Sequence, residues 1–208
     1  MAAGRFITFE GGEGTGKSTQ VRRLAARLAA AGREVVVTRE PGGTPLGEAI
    51  RTLILSSRPA VEAEFLLFAA ARAEHVDKLI RPALAAGRWV VCDRYSDSTR
   101  VYQGVLAGVD RTLIDVVEAA TSRAAVPDLT VVLDLPVATG LGRATRRGDL
   151  NRYDAESVGY HERIRQGFLD IARADSGRCV VVDGGASEDT VAEAIWSALG
   201  ARLGVGAS

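Results

Sequence analysis

The chain has 208 residues, 47% hydrophobic and 25% charged, with 26 basic side chains against 26 acidic ones and a formal net charge of zero. That apolar content is enough for a full core and excludes a disordered chain, and a balanced charge gives no reason to expect nucleic-acid or membrane binding. The length suits one α/β domain, no apolar run approaches a membrane span, and Cys92 and Cys179 lie in separate apolar runs with no Cys/His cluster to hold zinc.

The first predicted element is an alternating, β-rich strand over residues 5–10. It starts so near the N-terminus that no signal peptide is expected, which makes the cytoplasm the expected location. Gly11, Gly12, Glu13, Gly14, Thr15, Gly16, Lys17, Ser18 and Thr19 follow and satisfy the G-x-x-x-x-G-K-[ST] pattern of a phosphate-binding P-loop. The glycines at 11, 14 and 16 let the backbone turn its N–H groups onto a polyphosphate. Lys17 supplies a compact charge for the β- and γ-phosphates, and Ser18 a hydroxyl for Mg²⁺. A helical pattern over residues 20–31 presents its positive end to the same anion. Lys17 and Lys78 are the only lysines in a chain that otherwise writes arginine, as suits a point-charge phosphate ligand.

Four further β-branched runs, at 34–38, 89–92, 129–133 and 179–182, alternate with helical stretches. The βαβα order predicts a five-stranded parallel sheet flanked by helices on both faces, a P-loop NTPase fold whose strands are expected to be buried on both sides. Residues 1–208 are read as a single P-loop domain, with a short lid at about 143–154. Ligands of such sheets sit beyond the carboxyl ends of the strands. There the second run ends in Arg39, the third in Asp93-Arg94-Tyr95, the fourth in Asp134 and the fifth in Asp183. Asp134 and Asp183 read best as turn residues. Asp93 beside the P-loop suits Mg²⁺, and Arg39 and Arg94 suit an acceptor phosphate facing the nucleotide.

Phe68 and Arg72, four apart on a helical stretch over 63–80, share a face on which a base could stack and be bonded, although a Phe among Leu66, Leu67 and Ala69 is also ordinary core. Arg143, Arg146, Arg147 and Arg152 surround Gly148-Asp149. They fit a flap closing over ATP as well as they fit a solvated basic helix end. His75 and His161 lie in charged helical stretches and are expected at the surface without a role.

At Thr38-Arg39-Glu40-Pro41-Gly42-Gly43-Thr44, taken with the P-loop, the chain resembles the bacterial thymidylate kinases. Phe68-Ala69-Ala70-Ala71-Arg72, Arg81-Pro82-Ala83-Leu84-Ala85-Ala86-Gly87, Asp93-Arg94-Tyr95, Tyr102-Gln103-Gly104 and Pro127-Asp128-Leu129 fit as well, so the likeness covers essentially the whole chain. The resemblance implies transfer of the ATP γ-phosphoryl group to dTMP with Mg²⁺, and a homodimer. It implies that Arg39 and Arg94 hold the dTMP phosphate, Phe68 stacks on thymine, Arg72 bonds its O4, and Tyr102 crowds the sugar. Thr99, Gln103 and Pro41 fall near the nucleotide, and Glu13 near the 3′-hydroxyl. The P-loop has no arginine of its own, which turns the search for a catalytic arginine to the lid, at Arg147 and Arg152 with Arg143 behind them. Arg100 stands where an uncharged residue is expected, and a cis Glu40–Pro41 bond is expected to fix the aim of Arg39. The alternatives are a kinase for another nucleoside monophosphate and a nucleotide switch; no N-K-x-D guanine motif is present.

Overall fold

The computed structural model describes residues 4–122, 125–148, 152–153 and 155–205, apart from the Arg147 side chain. Five strands form one parallel sheet: β1 (Phe6–Glu10), β2 (Val35–Arg39), β3 (Trp89–Asp93), β4 (Leu129–Asp134) and β5 (Cys179–Asp183), in the order β2-β3-β1-β4-β5. The order reverses direction at β1, which stands between β3 and β4. The crevice at that switch point, outside the carboxyl ends, is where the P-loop lies.

The period-two pattern of the central strands divides the core. Ile7, Phe9, Val91, Leu129, Val131 and Leu133 face one side, where they pack on Val21, Leu24 and Leu28 of α1 (Lys17–Ala30) and Val191, Ile195 and Leu199 of α9 (Glu188–Leu203). Phe6, Val90 and Cys92 face the other side, against Val76, Ile80 and Ala83. Val132 and Cys179 meet Val101 together with Ile164, Phe168 and Ala172 of α8 (Val158–Ala174). Each fully buried Ile, Leu or Phe contributes about 1.5–3 kcal/mol. The edge strands correct the sequence expectation: Val37 of β2 and Val181 of β5 are exposed, because an outer strand of this sheet has a neighbour on one side only.

Between β2 and β3 run α2 (Pro45–Ser56), α3 (Val61–His75), a π-helical turn (Val76–Ile80) and α4 (Arg81–Ala85). After β3 come α5 (Ser96–Thr99), a second π-helical stretch (Arg100–Leu106) and α6 (Arg111–Ser122); α7 (Val137–Arg147) follows β4. Thr44, Ser157 and Ser187 cap α2, α8 and α9 with their side-chain oxygens. By contrast, α1 begins after Gly16 with no side-chain cap, so its first N–H groups remain for an anion.

Candidate active site

The P-loop turns where its glycines permit. Gly14 has φ 68°, and a Cβ there would lie 1.9 Å from the Gly140 carbonyl oxygen, so α7 packs directly on the loop. Lys17 is folded back into the loop, its Nζ donating to the carbonyls of Gly12 at 2.7 Å and Gly11 at 3.1 Å. Burial and the like charge of Arg94 push this ammonium down to about 8, although Glu13 and Asp93 oppose the shift. A triphosphate would replace those carbonyls as its partner. Ser18 Oγ donates to Asp93 Oδ2 at 2.5 Å, so the two oxygens proposed for a cation stand together at the first turn of α1. Thr15 Oγ1 donates to the Gly12 carbonyl at 3.0 Å, and Thr19 lies one residue beyond Ser18 on α1.

Arg94 faces this loop from the end of β3. Its Nη2 donates to Glu13 Oε1 at 2.7 Å and its Nη1 to the Gly11 carbonyl at 3.1 Å, and its guanidinium lies 5.2 Å from the Tyr102 ring centre. Tyr102 Oη donates to the same Glu13 oxygen at 3.0 Å. Burial disfavours the Glu13 carboxylate, but Arg94 and Lys17 outweigh it and hold the group down to about 2. Glu13, Arg94 and Tyr102 are thus one charged, largely covered unit at the mouth of the P-loop.

Arg39 extends from the end of β2, half exposed, and donates to Glu48 at 2.9 Å. The Glu40–Pro41 bond that follows is cis. Arg51, on α2, donates to the Pro41 carbonyl at 3.1 Å. Burial, then the like charges of Arg39 and Arg94, lower its pKa, so Arg51 lies within the field of both. The sequence reading missed Arg51; its signal was a basic residue seven positions after a helix-capping Thr44.

Beneath them lies a buried polar chain. Thr38 Oγ1 and His75 Nε2 are 2.7 Å apart, His75 Nδ1 lies 2.9 Å from Glu40 Oε1, and Arg72 Nε donates to Glu40 Oε2 at 2.8 Å. Arg72 Nη2 continues to Thr99 at 2.9 Å. Phe68, half-buried, packs one turn before Arg72 against Ile50 and Ile54.

A family model described as thymidylate kinase matches residues 9–195. The thymidylate kinase of Bradyrhizobium diazoefficiens is 51% identical over 206 residues, spanning 96% of this chain and 90% of its own length. That of Caulobacter vibrioides is 50% identical over 208 residues, spanning 99% and 100%. The crystal structure of thymidylate kinase from Ehrlichia chaffeensis aligns with a TM-score of 0.80 at 33% identity, covering 95% of this chain and 99% of that one. The chain belongs to the thymidylate kinase family.

Within a thymidylate kinase frame the remaining residues fall as follows. Gln103 donates to Glu64 of α3 at 3.1 Å. Arg143, on α7, donates to the Gly184 carbonyl at 2.8 Å, beside the P-loop, since Gly184 packs on the Thr15 carbonyl. Arg152 pairs with Glu64, donates to Tyr153 Oη at 2.6 Å and reaches the Ser57 carbonyl at 3.4 Å. It therefore rests against α3 rather than on the P-loop. Arg147 ends α7, and its side chain lies outside the described residues, as do Asp149, Leu150, Asn151 and Asp154 of the lid stretch. Arg100 turns from the nucleotide cleft to α6, where Glu118 accepts from its Nε and Nη2 at 2.9 and 2.7 Å.

The surface position expected for both histidines is overturned. His75 is fully buried as the link between Thr38 and Glu40, and a Cβ on Gly43 would lie 2.6 Å from its Nε2. His161 is 4% exposed; it lines a recess of about 380 Å³, open mouth included, with Gly11, Gly12, Glu13 and Thr15. Charged sequence neighbours concealed both, because on each helix the histidine occupies the inward face.

Proposed function

We propose that the P-loop of this chain holds the ATP triphosphate while Arg94 and Arg39, with Arg51 behind them, hold the acceptor phosphate opposite it. Family membership supplies the reaction: the enzyme phosphorylates dTMP to dTDP with ATP as phosphoryl donor. The observation that carries the assignment of sides is the Arg94 guanidinium, bonded at once to the Gly11 carbonyl and to Glu13 of the loop. An acceptor phosphate at Arg94 lies next to the donor, and such positioning is most of what phosphoryl transfer needs from a protein. The acceptor is already an anion, so no general base is required.

On the base side, Phe68 offers its ring to thymine. Arg72 keeps Nη1 for an exocyclic oxygen, since Nε and Nη2 are committed to Glu40 and Thr99. Thr99, Gln103 and Pro41 border the nucleotide, Tyr102 blocks a 2′-hydroxyl, and Glu13 faces the 3′-hydroxyl. Gly11 to Thr19 cradle the ATP phosphates, with Lys17 on the transferring group and Arg143 toward the nucleoside. Arg152 and Arg147 supply the lid arginines.

Ser18 and Asp93 fit Mg²⁺: their oxygens are hard donors 2.5 Å apart at the loop, and Mg²⁺ takes its remaining ligands from phosphates and water. When bound it neutralises charge on the β- and γ-phosphoryl oxygens. Solvent-facing Leu113 and Val116 on α6, with Leu66 on α3, support a homodimer. Among the described residues no helix is long and apolar enough to cross a membrane, and a cytoplasmic enzyme without a nucleic-acid partner fits the balanced charge. Coupled ADP-release assays with dTMP, dUMP, dGMP, UMP and AMP test the reading. The expected result is a kcat/KM for dTMP well above the rest; a value for UMP equal to that for dTMP would overturn it.

A further inference from the structure

Glu10 is the last residue of β1 and has no part in the roles above. It is completely buried. Its Oε1 accepts from the Tyr95 amide at 2.8 Å and the Ser98 amide at 3.3 Å, and its Oε2 accepts from Ser98 Oγ at 2.6 Å. All three donors lie just past Arg94. Before it, Cys92 Sγ donates to the Arg94 carbonyl at 3.0 Å, and the Arg94 amide donates to the Phe9 carbonyl at 2.9 Å. The residue so enclosed has φ 69°, and it is the one non-glycine residue with positive φ among the described residues. An L-residue does not hold that conformation unless its surroundings impose it, and such strain collects where a side chain must be aimed.

We propose that Glu10 is a positioning residue for the acceptor arginine: by gripping Tyr95 and Ser98 it imposes the left-handed turn that swings Arg94 back over the P-loop. The proposal rests on the reading of Arg94 as the acceptor-phosphate ligand. The left-handed residue stands between β3 and α5, and its guanidinium meets the Gly11 carbonyl and Glu13. Ser98 joins the two parts of the device, because its hydroxyl donates to Glu10 and lies 3.3 Å from Arg94 Nη1. A buried carboxyl is a costly way to fill space, since an aliphatic side chain would fill it without desolvating a charge. Its three bonds all go to the segment that aims Arg94. Because Glu10 also leads directly into Gly11, one residue sets the register between the donor loop and the acceptor arginine.

The test compares Glu10→Ala, Glu10→Gln and Ser98→Ala with Arg94→Ala in steady-state assays in which dTMP and ATP are varied separately. Glu10→Ala is expected to raise the dTMP KM about tenfold or more, as loss of orientation does, with the ATP KM within about twofold of wild type. Glu10→Gln keeps an oxygen for the two amides and an NH₂ for Ser98 Oγ, and is expected to bring the dTMP KM back to within about threefold of wild type. Ser98→Ala, which leaves the buried carboxyl in place, is expected to raise the dTMP KM about threefold even if Glu10→Ala does not fold. An unchanged dTMP KM in both Glu10→Ala and Ser98→Ala, an equal rise of both KM values, or a glutamine no better than alanine would overturn the proposal. Arg94→Ala separates the two levels: if it leaves the dTMP KM unchanged, the acceptor reading fails; if it raises that KM and the Glu10 and Ser98 variants do not, only the positioning role fails.

Discussion

The proposed acceptor wall and the proposed lid hold their arginines on different partners, the first at the P-loop and the buried Glu40, the second on α3 and on the Gly184 carbonyl. On the acceptor wall Arg72 is buried and fixed by Glu40, itself buried, while Arg94, partly buried, pairs with the partly buried Glu13. On the lid, Arg152 is spent on Glu64 and on the Ser57 carbonyl, and Arg143 on a backbone carbonyl, none of them a place where phosphate would sit. On the proposed reading, Arg94 already faces the P-loop and Arg72 is locked in place by Glu40. On the same reading, Arg152 would leave Glu64 before its charge reached the transferring group. Preorganised charge is worth most where no reorganisation accompanies reaction, so the proposed reading gives recognition to the first region and gating to the second.

The largest effect is expected where both regions depend on the same side chain. Lys17→Ala should lower kcat/KM by about 10³-fold or more, measured at steady state, because no other residue supplies a buried ammonium to the β- and γ-phosphates. Near-normal turnover would remove the donor site from the P-loop. Next comes the rigidity of the acceptor wall. Glu40→Ala strands the buried Arg72 charge and the His75 ring, and should cost about 3–5 kcal/mol in urea unfolding. A loss under about 1 kcal/mol would show that this wall is not held by its polar chain. The lid should respond differently: Arg152→Ala is expected to lower kcat about tenfold to a hundredfold with the dTMP KM near wild type. A rise in KM with kcat intact would instead make Arg152 part of the acceptor wall.

The smallest expected effect concerns pH and stability. Burial and the neighbouring Asp97 carboxylate raise the Glu10 carboxyl from 4.5 to about 7, although Ser98, Arg94 and the Tyr95 amide oppose them. Lys17, Cys92 and Cys179 also lie within its field. An acid whose folded pKa is raised carries more protons folded than unfolded, so its contribution to stability falls as pH rises from about 4.5 through about 7. Glu10→Gln removes that titration. Relative to wild type it should gain about 1–2 kcal/mol between pH 5 and pH 8 in chemical denaturation. An equal difference at both pH values would mean that Glu10 stays ionised throughout.

Much of this contrast was legible in the residues, and what escaped has physical reasons. Strand, P-loop and helix could be read because Gly11, Gly14 and Gly16 have no substitute where φ is positive, and because period-two apolar runs have few other uses. Asp93 and Arg94 could be read because polar residues at the end of a buried strand need a reason, and Arg39 because it ends a β-branched run. His75 and His161 could not, since the same charged neighbours surround an inward and an outward histidine. Arg51 was hidden because an arginine on a helix is ordinary until the fold sets it on the Pro41 carbonyl, within the field of Arg39 and Arg94. Glu10 looked like the last polar position of an alternating strand; only the folding of Tyr95 and Ser98 onto it shows where its oxygens go. Lid geometry was the least legible, because the partners of Arg152 lie on helices distant in sequence.

The division between the walls comes down to Arg94. Calorimetric titration of dTMP, and separately of a non-hydrolysable ATP analogue, into wild type and Arg94→Ala measures it directly. The account predicts that dTMP affinity falls by about a hundredfold while affinity for the ATP analogue stays within about threefold. Equal loss of both, or loss of the ATP analogue alone, would place Arg94 on the donor side and contradict it.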